Sequence, residues 1–285
     1  MSNGFSINHP LVTLEIKLEI EKLYMHEETI VEIVERLSDE IELDAHVKHP
    51  VIVDKETLVV LDGMHRVAAL QHLGCKLIPV CMVDYGNPNI TVGSWFRVIG
   101  NDREKSEELR EDLEQLGYTL QEVADSELER KLYDAEIMLG IVTSRKCYGI
   151  LGKTESVKKT YEHVKRLEAD LRKVGYNIGY ETESDSMNKV KSGEALAAII
   201  APRITKVDVV TAALRGEVFV HKSTRHVIPA RPLFVNVPLD WLNMDSEEAN
   251  KLLLEYLSKK KLTRLPRGQT LDRRYEEEIY VFSDK

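Results

Sequence analysis

The 285-residue chain is short of cysteine, of excess positive charge and of long apolar runs, and each shortage removes a class of protein. Its three cysteines, Cys75, Cys81 and Cys147, cannot all pair within one chain, and none are spaced as CxxC. They read as reduced thiols of a cytoplasmic protein rather than as a disulfide scaffold. The longest apolar run, Ala195 to Ala201, falls far short of the ~20 residues a spanning helix needs. Pro10 and Glu15 stand where a signal peptide would carry its apolar stretch, so no membrane partner is expected. Acidic residues outnumber basic ones by 48 to 39, a net charge of −9, which offers nucleic acid no broad electrostatic footprint. His46, His49 and Cys75 lack ligand spacing, so structural zinc is not expected either.

What is present describes a folded chain. Hydrophobic residues at 43% and charged residues at 31% give a core under a charged surface, and the length suits one large domain or two modest ones. Leu14, Ile16, Leu18 and Ile20 alternate with Glu15, Lys17, Glu19 and Glu21, the period of a half-buried strand. Ile30, Val34, Leu37 and Ile41 then follow helical spacing, which predicts a helix from Glu27 or Glu28. Strands are predicted at Val51–Val53, Thr57–Leu61, Ile78–Val83 and Ser94–Ile99, with a helix from Met64 to Leu73 closed by Gly74. A charged helix from Asp102 to Leu116 marks the expected boundary between two domains, 1–101 and 102–285. Beyond it come a hairpin, Ile137–Ser144 and Cys147–Leu151, and a long helix from Thr154 to Val174. The run Gly149 to Thr154 ends like a Walker loop, but Cys147 stands where that pattern needs glycine.

The sharpest local signal is Leu61-Asp62-Gly63-Met64-His65-Arg66-Val67, a strand, a glycine turn and a helix start with a basic pair in its first turn. Free N–H groups and the dipole make helix N-termini suited to anions, and glycine allows close backbone approach to a phosphate. Cations at that end oppose the dipole, which makes sense if an anion lies between them and the amides. The plainer alternative is a surface arginine, a core-edge histidine and an Asp-Gly turn. A second polar block is Lys222-Ser223-Thr224-Arg225-His226, with hydroxyls, a planar fork and an imidazole within a few residues. In an extended segment Thr224 and His226 share one face and Arg225 the other, so these groups converge only if the segment turns.

The Gly-x-x-Arg turn of Gly63 to Arg66 resembles the ParB/sulfiredoxin-like superfamily, in which it holds nucleotide phosphates. Sulfiredoxins carry a cysteine between the glycine and the histidine. Met64 occupies that position, so sulfiredoxin chemistry lacks its nucleophile. Within the superfamily the chain resembles the free L-serine kinases, on His26-Glu27, Asp62–Arg66, Ser94-Trp95-Phe96, Gly216-Glu217-Val218-Phe219 and Lys222–Val227. The resemblance covers most of residues 10 to 245, and the tail beyond Ser246 matches only members tied to siderophore precursor synthesis.

That resemblance implies an α/β (α+β) fold of two domains, a ParB/sulfiredoxin-like one and a mixed αβ one, with the active site in the cleft between them. It implies transfer of a phosphoryl group from ADP or ATP to free L-serine, with Mg²⁺, giving O-phospho-L-serine for cysteine or siderophore precursor synthesis. Glu27 would be the general base and Asp62 a Mg²⁺ or serine-amine partner. Gly63, Met64, His65 and Arg66 would hold the nucleotide phosphates. Trp95, Lys222, Ser223, Thr224, Arg225 and His226 would serve serine or its phosphate. The alternative is a ParB-like nucleotide-dependent regulator or DNA-binding protein without turnover. Against it, the second half shows no helix-turn-helix pattern.

Overall fold

The computed structural model describes residues 4–20, 22–100, 108–271 and 274–285. By internal contacts the chain divides into two compact units. The first contains Met1–Thr91, Lys206–His221 and His226–Lys285, and the second contains Val92–Thr205 with the four residues Lys222–Arg225.

The first unit is built on a five-stranded mixed sheet in the order Phe5–His9, Val12–Ile20, Leu77–Val83, Val51–Asp54, Val60–Asp62. The alternation read from Leu14 onward is that of Val12–Ile20, where Leu14, Ile16 and Leu18 are buried. Leu77–Val83 is buried along its whole length and is accordingly a continuous apolar run. Beyond the reach of Phe5–His9, helix Ser246–Lys259 takes over the strand edge. Asn250 accepts from the Leu18 N–H at 2.8 Å and donates to the Leu18 carbonyl at 2.9 Å. A smaller sheet places Glu278–Ser283 between Ala230–Leu233 and Lys261–Leu265.

The second unit holds a six-stranded sheet in the order Ile178–Glu181, Phe96–Gly100, Ala195–Ile200, Leu139–Thr143, Cys147–Ile150, Leu120–Val123, antiparallel throughout. Helix Val157–Lys173 buries Tyr161, Val164, Leu167 and Leu171 along one face. Its cap is Ser156, whose side chain accepts from the Lys159 N–H, so the helix starts past the Walker-like run. Gly149 belongs to a strand, and a Cβ there would come within 2.5 Å of Ile137.

Several expectations are corrected. The first helix spans Val31–Asp44 and begins after Glu27 and Glu28, because the backbone of those residues bonds elsewhere. Thr57 lies in a turn, bonded through N–H and hydroxyl to Asp54, and the strand is Val60–Asp62. Trp95 precedes its strand, Phe96–Gly100. Of the helix expected from Asp102, the described part is Leu109–Gln115, and the boundary proposed near 102 falls outside the described residues. The units change at Thr91/Val92 instead, since Phe96–Gly100 is an interior strand of the second sheet.

Candidate active site

The Asp62-Gly63 turn depends on its glycine. Gly63 caps helix Met64–His72 at φ 100°, in the left-handed region. A Cβ there would stand 2.6 Å from Arg66 Nη2, because the Arg66 guanidinium folds back over the turn. In that position Arg66 donates to the Pro50 carbonyl at 3.4 Å and lies 3.6 Å from an Asp62 carboxylate oxygen.

The two residues between them hold a neighbouring segment. Met64 Sδ accepts from the Glu27 N–H at 3.3 Å, and His65 Nε2 accepts from the Ile30 N–H at 3.1 Å. From the other side, Phe219 donates its N–H to the His26 carbonyl at 2.7 Å and accepts from the Glu28 N–H at 2.9 Å. Tyr24 exchanges backbone bonds with Leu58 and Val60. Residues 24–28 are therefore extended and tied on both edges, and Glu27 is 7% exposed. The Glu27 carboxylate does not complement a helix dipole, because the helix starts four residues later.

Behind Glu27 sits a buried imidazole pair. His26 Nδ1 donates to the Val60 carbonyl at 2.8 Å, which fixes its tautomer because a carbonyl can only accept. Its ring meets that of His226 edge-on, with centroids 5.2 Å apart. Burial lowers the His26 pKa to about 4, and burial followed by the nearby His26 holds His226 well below its ordinary value. His226 Nε2 lies 2.8 Å from the Tyr85 hydroxyl, whose own pKa burial and then Asp54 push up. His226 is thus a buried ring held neutral and partnered by Tyr85.

Asp62 also meets a residue that the sequence reading missed. Arg231 Nη1 donates to Asp62 at 2.5 Å, Nη2 donates to the His226 carbonyl at 3.2 Å, and Nε pairs with Glu277. Burial opposes its charge, but the two carboxylates more than offset this and raise its pKa. The available signal was an arginine in an otherwise apolar stretch, since all of Ala230–Leu233 is buried. Asp62, Arg66 and Arg231 line a cavity of about 220 Å³ with His49, Pro50 and Ile52.

In the second unit Trp95 is half-buried and faces two cations, Lys222 Nζ at 4.5 Å from the ring centroid and the Arg225 guanidinium at 5.8 Å. Lys222 has φ 60°, a left-handed conformation that costs a side-chain-bearing residue energy. Arg97, another buried arginine absent from the sequence reading, braces that backbone. Its Nη1 donates to the Lys222 carbonyl at 2.9 Å and the Trp95 carbonyl at 3.2 Å, and its Nε lies 3.4 Å from Glu168.

No protein-family model matches the chain. It is 27% identical over 240 residues to an ATP-dependent L-serine kinase of Staphylothermus marinus, covering 80% of this chain and 90% of that protein. It is 28% identical over 231 residues to an ADP-dependent L-serine kinase of Thermococcus kodakarensis, covering 79% and 91%. The solved structure of a free serine kinase in complex with AMP superposes with a TM-score of 0.64 at 27% identity, over 80% of this chain and 93% of that one. The chain is similar to L-serine kinases.

Similarity to L-serine kinases raises the question of magnesium. The described side chains do not by themselves make a complete metal site. Among the described residues no group of three or more His, Cys, Asp or Glu side chains is arranged to hold an ion. Asp62, the expected ligand, already faces two guanidinium groups.

Proposed function

We propose that this chain is a free serine kinase that phosphorylates L-serine from ADP or ATP. The observation that carries the reading is Glu27, a buried carboxylate held by backbone bonds in a chain similar to L-serine kinases over four-fifths of its length. Serine Oγ attacks the terminal phosphorus, the bond from phosphorus to the bridging oxygen breaks, and AMP or ADP leaves. Glu27 takes the hydroxyl proton. Arg66, with the amides of Gly63 and Met64, binds the nucleotide phosphates. His65 helps to fix the Glu27 segment, since its Nε2 accepts from Ile30. Trp95 and Lys222 to Arg225 serve serine or its phosphate. Magnesium would enter with the nucleotide, because ions of this kind keep most of their ligands from water and phosphate.

Among the described residues no helix is long and apolar enough to cross a membrane. Cys75, Cys81 and Cys147 are buried thiols, in keeping with a reducing compartment.

The test is mass spectrometry of the purified protein with L-serine, Mg²⁺ and either nucleotide. O-phosphoserine formed with one of them establishes the kinase and names the donor. Nucleotide binding without product would favour the ParB-like regulatory alternative. Glu27→Gln is expected to abolish transfer with nucleotide affinity nearly unchanged, and equal loss of both would remove the base assignment. Arg66→Ala is expected to weaken nucleotide binding by about 1.5–3 kcal/mol, measured by calorimetry, because it removes a charge-assisted contact.

A further inference from the structure

The tail beyond residue 246 lies largely outside the resemblance, yet it supplies a charge to the Asp62 cluster. Strand Glu278–Ser283 runs parallel to Ala230–Leu233, with Arg231 opposite Ile279. That register brings Glu277 to the Nε edge of the Arg231 guanidinium, where the two form an ion pair with side chains only 12% and 8% exposed. Asp62 meets the same guanidinium through Nη1, and the His226 carbonyl accepts from Nη2. One buried cation is thus shared by two carboxylates.

The charge count decides what this sharing does. A lone Asp62–Arg231 pair would be neutral, and its guanidinium would draw the Asp62 carboxylate inward. With Glu277 present the two carboxylates balance the guanidiniums of Arg231 and Arg66, whereas without it the cluster of Asp62, Arg231 and Arg66 would carry one net positive charge. The exposed member is Asp62, at 39%, on the wall of the cavity. Arg66, on the helix that follows, places a second guanidinium beside Asp62, while burial holds His26 and His226 neutral.

We propose that Glu277 is a positioning residue of this site: by gripping Arg231 at its Nε edge it fixes the guanidinium and keeps the cluster around Asp62 from becoming net positive, so that Asp62 can receive a cationic group of the substrate. Resting on the kinase reading, that group is the ammonium of L-serine.

Glu277→Gln keeps the size of the side chain and removes its charge. In the full chain, the Asp62 carboxyl is titrated by ¹³C NMR, with its signal assigned through Asp62→Asn. The Asp62 titration is expected to move down by about one pH unit in E277Q, since a like charge is lost and a cation is left less compensated. KM for L-serine is expected to rise several-fold while nucleotide affinity holds, and Glu277→Asp is expected to recover part of both effects. An Asp62 titration that stays in place while only the melting temperature falls would overturn the proposal. Should E277Q not fold, E277D, with its carboxylate set back, is expected to move the titration the same way by a smaller step, and no movement there would equally overturn it. A moved titration in a protein that makes no O-phosphoserine would remove the kinase reading and leave the positioning role standing.

Discussion

At the scale of single residues, burial decides which groups carry charge. His26 is held at a pKa of about 4 by desolvation, against 6.5 in the unfolded chain, and His226 is depressed in the same direction. Both rings are neutral near pH 7. The folded state refuses protons that the unfolded chain accepts below pH 6.5, so this stability is present above 6.5 and is lost as pH falls toward 4. The slope is ~1.4 kcal/mol per pH unit for each histidine. His26→Gln is expected to flatten the loss, read from urea midpoints between pH 7 and pH 4.5, and an unchanged slope would show the folded ring to be protonated already. The sequence marked His26-Glu27 and His226 as worth attention through family resemblance. It could not place the two imidazoles in contact, because nothing local encodes a pairing across two hundred residues.

At the scale of elements, the Asp62-Gly63 turn was legible and the Glu27 segment was not. The turn announces itself through a glycine followed by a helical pattern, and the helix runs as expected, over Met64–His72. Gly63→Ala combines an unfavourable φ with a Cβ set 2.6 Å from Arg66 Nη2. It is expected to cost about 1–2 kcal/mol in stability, measured by denaturant unfolding, and to displace Arg66 enough to weaken nucleotide binding. Full stability with full binding would mean that the turn tolerates a side chain. Residues 27–30 read as helix because Ile30, Val34, Leu37 and Ile41 set the period and nothing nearby breaks it. Their backbone partners are Phe219, Met64 and His65, and such distant bonds leave no trace in local periodicity. The hairpin around Arg145-Lys146 was legible for the opposite reason, since its strands are neighbours in sequence and pair with each other.

At the scale of the whole molecule, the mixed α/β class followed from the alternation of patterns, but the partition of the chain did not. A linear boundary near residue 102 assumes that each unit is one stretch. Instead the first unit resumes at Lys206, and four residues, Lys222–Arg225, go with the second before His226 returns to the first. Composition does not change at any of these crossings, so only the pairing of strands reveals them. Asp62 and Arg231 are 169 positions apart, and Glu277 is more distant still. A contact spanning that much chain forms only after the strands that carry it have docked, which places it on the native side of the folding barrier. Removing the Glu277 charge is therefore expected to quicken unfolding and leave the refolding rate nearly as it was, as read from the two limbs of a denaturant chevron. The charge cluster beneath Asp62 would then act as a latch on the lifetime of the folded state as well as on the disposition of one carboxylate.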